Sequence, residues 1–276
     1  MRRRFMQVDV FSQDPYKGNP LGVVLDGDGL DAAQMRDYSS WSNLSEVTFV
    51  LPPSDGRADF RFRIFAGQQE FPFAGHPILG TVRAWLASGG SPQNPAEVLA
   101  ECQAGLVPVR VQGDLLSFQS PALLRSEALD AAQVRQISEL LGIDSAEIAA
   151  AFWADNGPGW RAVLLDSADA VLALAPDASR HHGVWKIGVL GPLASGGFEV
   201  RALNFADGVL REDPVTGSLN AAAAEWLLAR RLAEAPFCNR QGTVLGRRGR
   251  VQFRQEDGIL WTGGATHVLI DGHIEL

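Results

Sequence analysis

The chain has 276 residues, 46% hydrophobic and 20% charged, with 24 Lys and Arg against 32 Asp and Glu for a formal charge of −8. That balance fits a globular protein with an adequate core, and it argues against nucleic acid or an anionic membrane as the main partner. Two cysteines without CxxC spacing fit a reducing cytoplasm and no structural zinc.

Met1-Arg2-Arg3-Arg4 has the charge of a signal-peptide start, but Asp9 and Gln13 arrive before any apolar run can form. No stretch approaches the roughly 18 apolar residues of a membrane span. The location expected is cytoplasmic.

In chain order, strand patterns fall at 5–11, 22–25, 47–51 and 59–65, with a helix over 31–41 for which Asp31 is the N-cap candidate. A second helix is expected over 77–88, starting at Pro77 and carrying Trp85. Strands follow at 106–111 and 115–119, and Ser91-Pro92-Gln93-Asn94-Pro95 reads as a loop within a domain. The best boundary lies near Ser120-Pro121. Beyond it come helices at 131–141 and 168–174, strands at 161–165 and 198–204, and a long helix from Pro214 to about Leu232 carrying Trp226. Strands at 250–254 and 265–270 complete the series.

No regular βαβα alternation is present, so a doubly wound parallel sheet is not expected. Long apolar helices among many short strands instead predict an α+β fold of two pseudo-symmetric domains. Each would be a rolled, mostly antiparallel sheet around a central helix. The first domain, 1–120, would carry Glu46 and His76, with the C-terminal strand a candidate to complete it. The second, 121–276, would carry the 213–218 motif.

The symmetry rests on a repeat. His76-Pro77-Ile78-Leu79-Gly80-Thr81 and Asp213-Pro214-Val215-Thr216-Gly217-Ser218 share a polar residue, then Pro-x-x-Gly and a hydroxyl residue. Their offset is 213 − 76 = 137, against a half-length of 276/2 = 138. Phe62-Arg63-Ile64-Phe65 and the 198–205 strand precede the two copies. Glu101-Cys102-Gln103-Ala104-Gly105 and Cys238-Asn239-Arg240-Gln241-Gly242 follow them. Pro at a first helical position pre-sets φ, and the free N–H groups behind it favour an anion. Two such helix starts could grip a small carboxylate from both sides.

Glu46, at the mouth of the 47–51 strand, is the first candidate for acid/base work, because desolvation there would raise its pKa. The plainer alternative is a solvated loop carboxylate. Glu70 reads as a surface turn. His76 could cap a helix, orient a carboxylate or shuttle a proton. Its match with Asp213 suggests that the two meet. Gly75, Gly217 and Ser218 would supply N–H groups and a hydroxyl, although Gly80 and Gly217 could equally serve close helix packing. The five histidines show no metal-ligand spacing, and His181-His182 reads as a surface pair. GxGxxG, P-loop and GxSxG motifs are absent. The 241–250 segment reads as a hairpin turn with solvated arginines.

Together these segments resemble the PhzF family, named for the phenazine-biosynthesis isomerase. The carriers are Val8-Asp9-Val10-Phe11 with Gly18-Asn19-Pro20, the 43–50 run around Glu46, Phe71-Pro72-Phe73-Ala74-Gly75-His76-Pro77 with Gly80-Thr81, and Glu212-Asp213-Pro214-Val215-Thr216-Gly217-Ser218. A departure stands at 64–70, where the family has a Thr-Pro-containing turn. The resemblance implies a diaminopimelate epimerase-like fold with the site in the cleft, a homodimer and no cofactor. It also implies Glu46 as general acid/base, with His76 and Asp213 assisting the proton transfer and holding the substrate. Gly75, Gly217 and Ser218 would bind the substrate's carboxylate or polar groups.

The same fold hosts two-cysteine racemases, whose thiols stand at the two helix starts. Here those places are expected around Gly75-His76 and Glu212-Asp213, well away from Cys102 and Cys238. The expectation is therefore a cofactor-independent isomerase that moves a proton on a small carboxylate, similar to trans-2,3-dihydro-3-hydroxyanthranilate isomerase. The rivals are a non-catalytic small-carboxylate binder on the same scaffold and an interaction protein with a vestigial cleft.

Overall fold

The computed structural model describes residues 1–179 and 183–276, so the His181-His182 pair lies outside the described residues. The chain divides into two compact units, Met1–Gln119 with Gly263–Leu276, and Ser120–Thr262.

The first unit contains β1 (Arg2–Val10), β2 (Asn19–Val24), α1 (Ala32–Ser42), β3 (Glu46–Leu51), β4 (Phe60–Ala66), β5 (Gln69–Phe71), α2 (Gly75–Ala87), β6 (Glu97–Cys102), β7 (Gly105–Gln112) and β8 (Leu115–Gln119). Its strands run in the order β1-β2-β3-β4-β6-β7-β8, followed by the last strand of the chain. That strand pairs antiparallel back onto β1, from Arg2↔Glu275 to Val10↔Thr266, and so closes the sheet on itself. Closure leaves no open edge in the ring.

Strands β6 and β7 alternate buried and partly exposed residues, as a sheet with one face on a core requires. That core is filled by α2, which is buried from Gly75 to Val82 and again at Ala84. A helix apolar on nearly every side must be enclosed, and α2 touches β1, β2, β3, β6 and β8. Gly80 permits the closest approach, since a Cβ there would lie 2.6 Å from Leu21 Cδ2 and 3.0 Å from Val10 Cγ2. On the outside, α1 starts from the Asp31–Gln34 capping box and covers β3 and β4.

The second unit contains α3 (Ala131–Leu141), β9 (Ala150–Trp153), β10 (Arg161–Leu164), α4 (Ala168–Ala173), β11 (Val184–Pro192), β12 (Phe198–Ala206), β13 (Val209–Asp213), α5 (Gly217–Ala229), β14 (Phe237–Gln241), β15 (Gly249–Glu256) and the start of β16 (Ile259–Glu275). Its order is β16-β15-β14-β12-β11-β10-β9, with β13 paired to β12. Against one face lies α5, whose Leu219, Ala222, Ala223 and Trp226 pack with Phe152, Ala162, Leu190 and Val200. Trp226 stacks on Phe152 with ring centroids 3.6 Å apart. Helices α3 and α4 join a second cluster with Val163, Val189 and Leu203. Each unit is thus a sheet curved round one very apolar helix, an α+β architecture.

The helix starts differ from the sequence expectation. Helix α2 begins at Gly75 and α5 at Gly217, each 13 residues long, an offset of 217 − 75 = 142 and not 137. Pro77 is the third residue of its helix, where its missing N–H is still harmless. Pro214 lies before the helix, and extended Thr216 is the N-cap of α5. The helical counterpart of His76 is therefore Ser218, and Asp213 ends the preceding strand. Nor is Glu70 in a loose turn: it sits in β5, paired in a hairpin with β4, and binds Arg63 through two contacts of 2.7 Å. That guanidinium lowers the pKa of the Glu70 carboxyl.

Candidate active site

In the first unit, Glu46 opens β3 and His76 lies in the first turn of α2. His76 Nε2 stands 3.4 Å from Glu46 Oε2. The contact is close but not aligned as a hydrogen bond, a common state for catalytic pairs without substrate. The two elements are tied beside this pair. Thr48 and Thr81 share a 2.7 Å hydrogen bond between their hydroxyls, and the Thr81 hydroxyl also donates to Pro77 O at 2.6 Å.

Behind the imidazole, the Asn19 amide nitrogen lies 3.4 Å from His76 Nδ1. With the Asn19 NH2 turned to the ring, Nδ1 accepts and the ring proton falls on Nε2, facing Glu46. Asn19 is placed by a clamp: Asp9 Oδ2 accepts from the backbone N–H groups of Lys17 at 3.0 Å and Gly18 at 3.1 Å. Only Gly fits at 18, because a Cβ would fall 2.2 Å from the Val10 carbonyl oxygen. His76 is 4% exposed, and burial pushes its imidazolium pKa down to about 3. At neutral pH it is a neutral donor.

In the second unit, Asp213 closes β13 and Ser218 is the second residue of α5. Ser218 Oγ accepts from Trp160 Nε1 at 3.1 Å, which leaves its own proton to donate elsewhere. Asn156 Nδ2 donates to the Ser218 carbonyl at 3.1 Å. Asp213 Oδ2 lies 2.5 Å from the Thr216 hydroxyl, and Gln241 Nε2 donates to the Asp213 carbonyl at 3.0 Å. The neighbouring Glu212 is committed to a bidentate pair with Arg201, at 3.0 and 2.8 Å.

Gly75 and Gly217 are the first residues of α2 and α5. Among the described residues no side chain caps either helix, whereas Asp31, Asp130 and Ser167 cap α1, α3 and α4. The first-turn N–H groups of these two central helices are therefore left for another acceptor.

The sequence reading placed Thr48, Asn19, Thr216, Asn239 and Gln241 within quoted segments but gave them no role, and it did not single out Trp160, Asn156 or Asn220. Their signal was a polar residue set among apolar ones, as with Asn220 in the Ala-rich run of α5. Cys102 ends β6 and Cys238 lies in β14, neither of them at a helix start, and burial raises both thiol pKa values. Among the described residues no group of three or more His, Cys, Asp or Glu is placed to hold a metal ion. No helix among them is long and apolar enough to cross a membrane.

The PhzC-PhzF family model, phenazine biosynthesis-like protein, matches residues 8–273. The chain is 33% identical over 260 residues to antisense-enhancing sequence 1 of Schizosaccharomyces pombe, covering 88% of this chain and 87% of that one. It is also 33% identical over 267 residues to trans-2,3-dihydro-3-hydroxyanthranilate isomerase of Pseudomonas aeruginosa, covering 92% and 90%. A solved structure of a predicted epimerase from Pseudomonas aeruginosa superposes with a TM-score of 0.82, at 26% identity over 99% of both chains. The acid–imidazole pair thus sits on a scaffold whose relatives include isomerases and epimerases: the chain belongs to the PhzC-PhzF family of phenazine biosynthesis-like proteins, and it is an isomerase.

Proposed function

We propose that the isomerase works without a cofactor, shifting a proton on a small carboxylate, and that trans-2,3-dihydro-3-hydroxyanthranilate is the first substrate to test. The observation that carries this reading is the Glu46–His76 pair, a carboxylate and a neutral imidazole 3.4 Å apart at a buried helix start. Glu46 takes a proton from carbon and returns it elsewhere. His76 donates through Nε2–H to orient the carboxylate or the substrate, and brings no positive charge to the site. Asp213 assists the transfer and holds the substrate. Gly75, Gly217 and Ser218 bind its carboxylate and polar groups, each helix start contributing about 0.3–1 kcal/mol. The same reading takes the enzyme to be a cytoplasmic homodimer, which sedimentation analysis would check for assembly.

The test is proton NMR of the protein with that substrate in D₂O, beside Glu46→Gln. Wild type is expected to convert it, and Glu46→Gln to turn over about 10²–10⁴-fold more slowly with binding retained. Near-wild-type turnover by Glu46→Gln would remove Glu46 as the base. Conversion by neither protein would send the search to other small carboxylates.

A further inference from the structure

Strand β14 carries different chemistry on its two faces. Asn239 and Gln241 turn inward and complete a buried ladder that ends at Asp213. Asn239 Nδ2 donates to Asn220 Oδ1 at 3.0 Å, and Asn220 Nδ2 donates to Gln241 Oε1 at 2.6 Å. Gln241 Nε2 then donates to Thr216 Oγ1 at 2.9 Å and to the Asp213 carbonyl at 3.0 Å. Cys238 and Arg240 alternate with these residues and face the other way, into a cavity of about 320 Å³ that the proposed reaction does not use.

One wall of the cavity is the turn between β11 and β12, where the Leu193 N–H donates to the Gly197 carbonyl at 3.0 Å. Gly197 stands at φ 74°, and a Cβ there would fall 2.0 Å from the Cys238 carbonyl oxygen. Only glycine lets the turn lie this close to β14. Leu193, Pro236 and Phe237 supply apolar surface, and Ser195 a hydroxyl. Phe237 is held by stacking on Phe253, with ring centroids 4.6 Å apart.

The cavity also holds two arginines directly opposite each other, Arg240 on β14 and Arg250 on β15. Like charges so placed across an antiparallel pair repel. Only one of the two is answered. Glu199, fully buried, accepts from Arg240 Nε at 2.9 Å and from the Thr243 hydroxyl at 2.6 Å. That bond fixes the guanidinium of Arg240 and leaves its two terminal nitrogens for another acceptor. Arg250 donates to the Gly249 carbonyl at 3.0 Å and pairs with no carboxylate among the described residues. Burial raises the Cys238 thiol pKa and the Arg250 charge works against it, which puts that guanidinium on the Cys238 side of the cavity.

We infer that this cavity binds a small organic oxyanion, its carboxylate or phosphate head bridging Arg240 and Arg250 and its apolar body lying on Leu193, Pro236 and Phe237. The head offsets the repulsion between the two arginines. Neither Glu46 and His76 nor Asp213 takes part, so the inference goes beyond the proposed function and does not depend on it.

The test is an NMR titration of the ¹⁵N-labelled full chain that reads the Arg250 Nε–H resonance, identified by its loss in Arg250→Gln. The probes are phenyl phosphate and benzoate, which share an apolar body and differ in the head. At least one is expected to shift that resonance saturably, and the tighter of the two identifies the head. The bare heads, inorganic phosphate and acetate, should bind about tenfold more weakly. Arg250→Gln, followed through the Cys238 amide, should weaken binding by about tenfold or more. Arg254→Gln removes a charge from the same exposed face of β15 outside the cavity and should leave binding unchanged. The absence of a saturable shift with both probes overturns the inference. So does full affinity in Arg250→Gln, or an equal loss in Arg254→Gln, which would mark general surface charge. Bare heads that bind as tightly as the probes would remove the apolar walls from it. The resonances read belong to β14 and β15, so a probe that also enters the proposed catalytic site leaves the result unaffected, and failure of the isomerase assay leaves it standing.

Discussion

His76 makes stability depend on pH as well as serving the site. A His in the unfolded chain binds its proton near 6.5, whereas burial in the native chain delays this to about 3. Between those values the unfolded chain holds a proton that the native one lacks, so stability rises with pH. The contribution is complete above about pH 6.5 and drains away as pH falls toward 3, by at most ~1.4 kcal/mol per pH unit. His76→Gln removes the titrating group, and its urea midpoint should change less between pH 7 and pH 4.5 than that of wild type. Equal changes in the two proteins would show that another group controls the acid limb. Cys102 and Cys238, raised in pKa by burial and away from both helix starts, should tolerate Cys→Ser together with turnover unchanged; loss of turnover would implicate a thiol. Glu46 and His76 were legible because their motif is distinctive. The Asp213 ladder was not, because Asn, Gln and Thr look like surface residues until their partners are known.

Among the elements, two of the strands that failed to announce themselves share one cause. Strand β13 reads Val-Leu-Arg-Glu-Asp and β14 reads Phe-Cys-Asn-Arg-Gln, too polar for a strand in a core. Yet Glu212 is neutralised by Arg201, and Asn239 and Gln241 are satisfied by the ladder. Burial with every polar atom partnered is tolerated, and it erases the alternation that made the ten expected strands readable. The second helix start was misplaced for a related reason: Pro214 carries the familiar start signal, while the operative cap residue is Thr216.

Local fit matters as much as hydrogen bonding. Gly18→Ala drives a Cβ to 2.2 Å from a backbone carbonyl that cannot rotate away. It should cost about 1–3 kcal/mol in urea unfolding and displace Asn19 from His76. Thr48→Val should cost less, about 0.5–1.5 kcal/mol, because the Thr81 hydroxyl keeps its bond to Pro77. A larger loss in Thr48→Val than in Gly18→Ala would reverse that ranking.

For the molecule as a whole, the seam between β1 and β16 decides whether the first unit is a closed ring or an open sheet. Deleting 263–276 removes the partner of β1 over its full length and leaves β8 at an edge. Hydrogen exchange should then show lost protection in β1, β2 and β8, with protection kept in β11 and β12. Persistent protection of β1 would mean that the seam is dispensable. The same seam also sets an order of events during synthesis. Residues 120–262 form an uninterrupted stretch made before the closing strand, so the first unit waits with two bare edges while they are synthesised. The earlier-made half cannot close until the last strand arrives, and a pause in translation between residues 119 and 263 would prolong its exposure to mispairing with other chains.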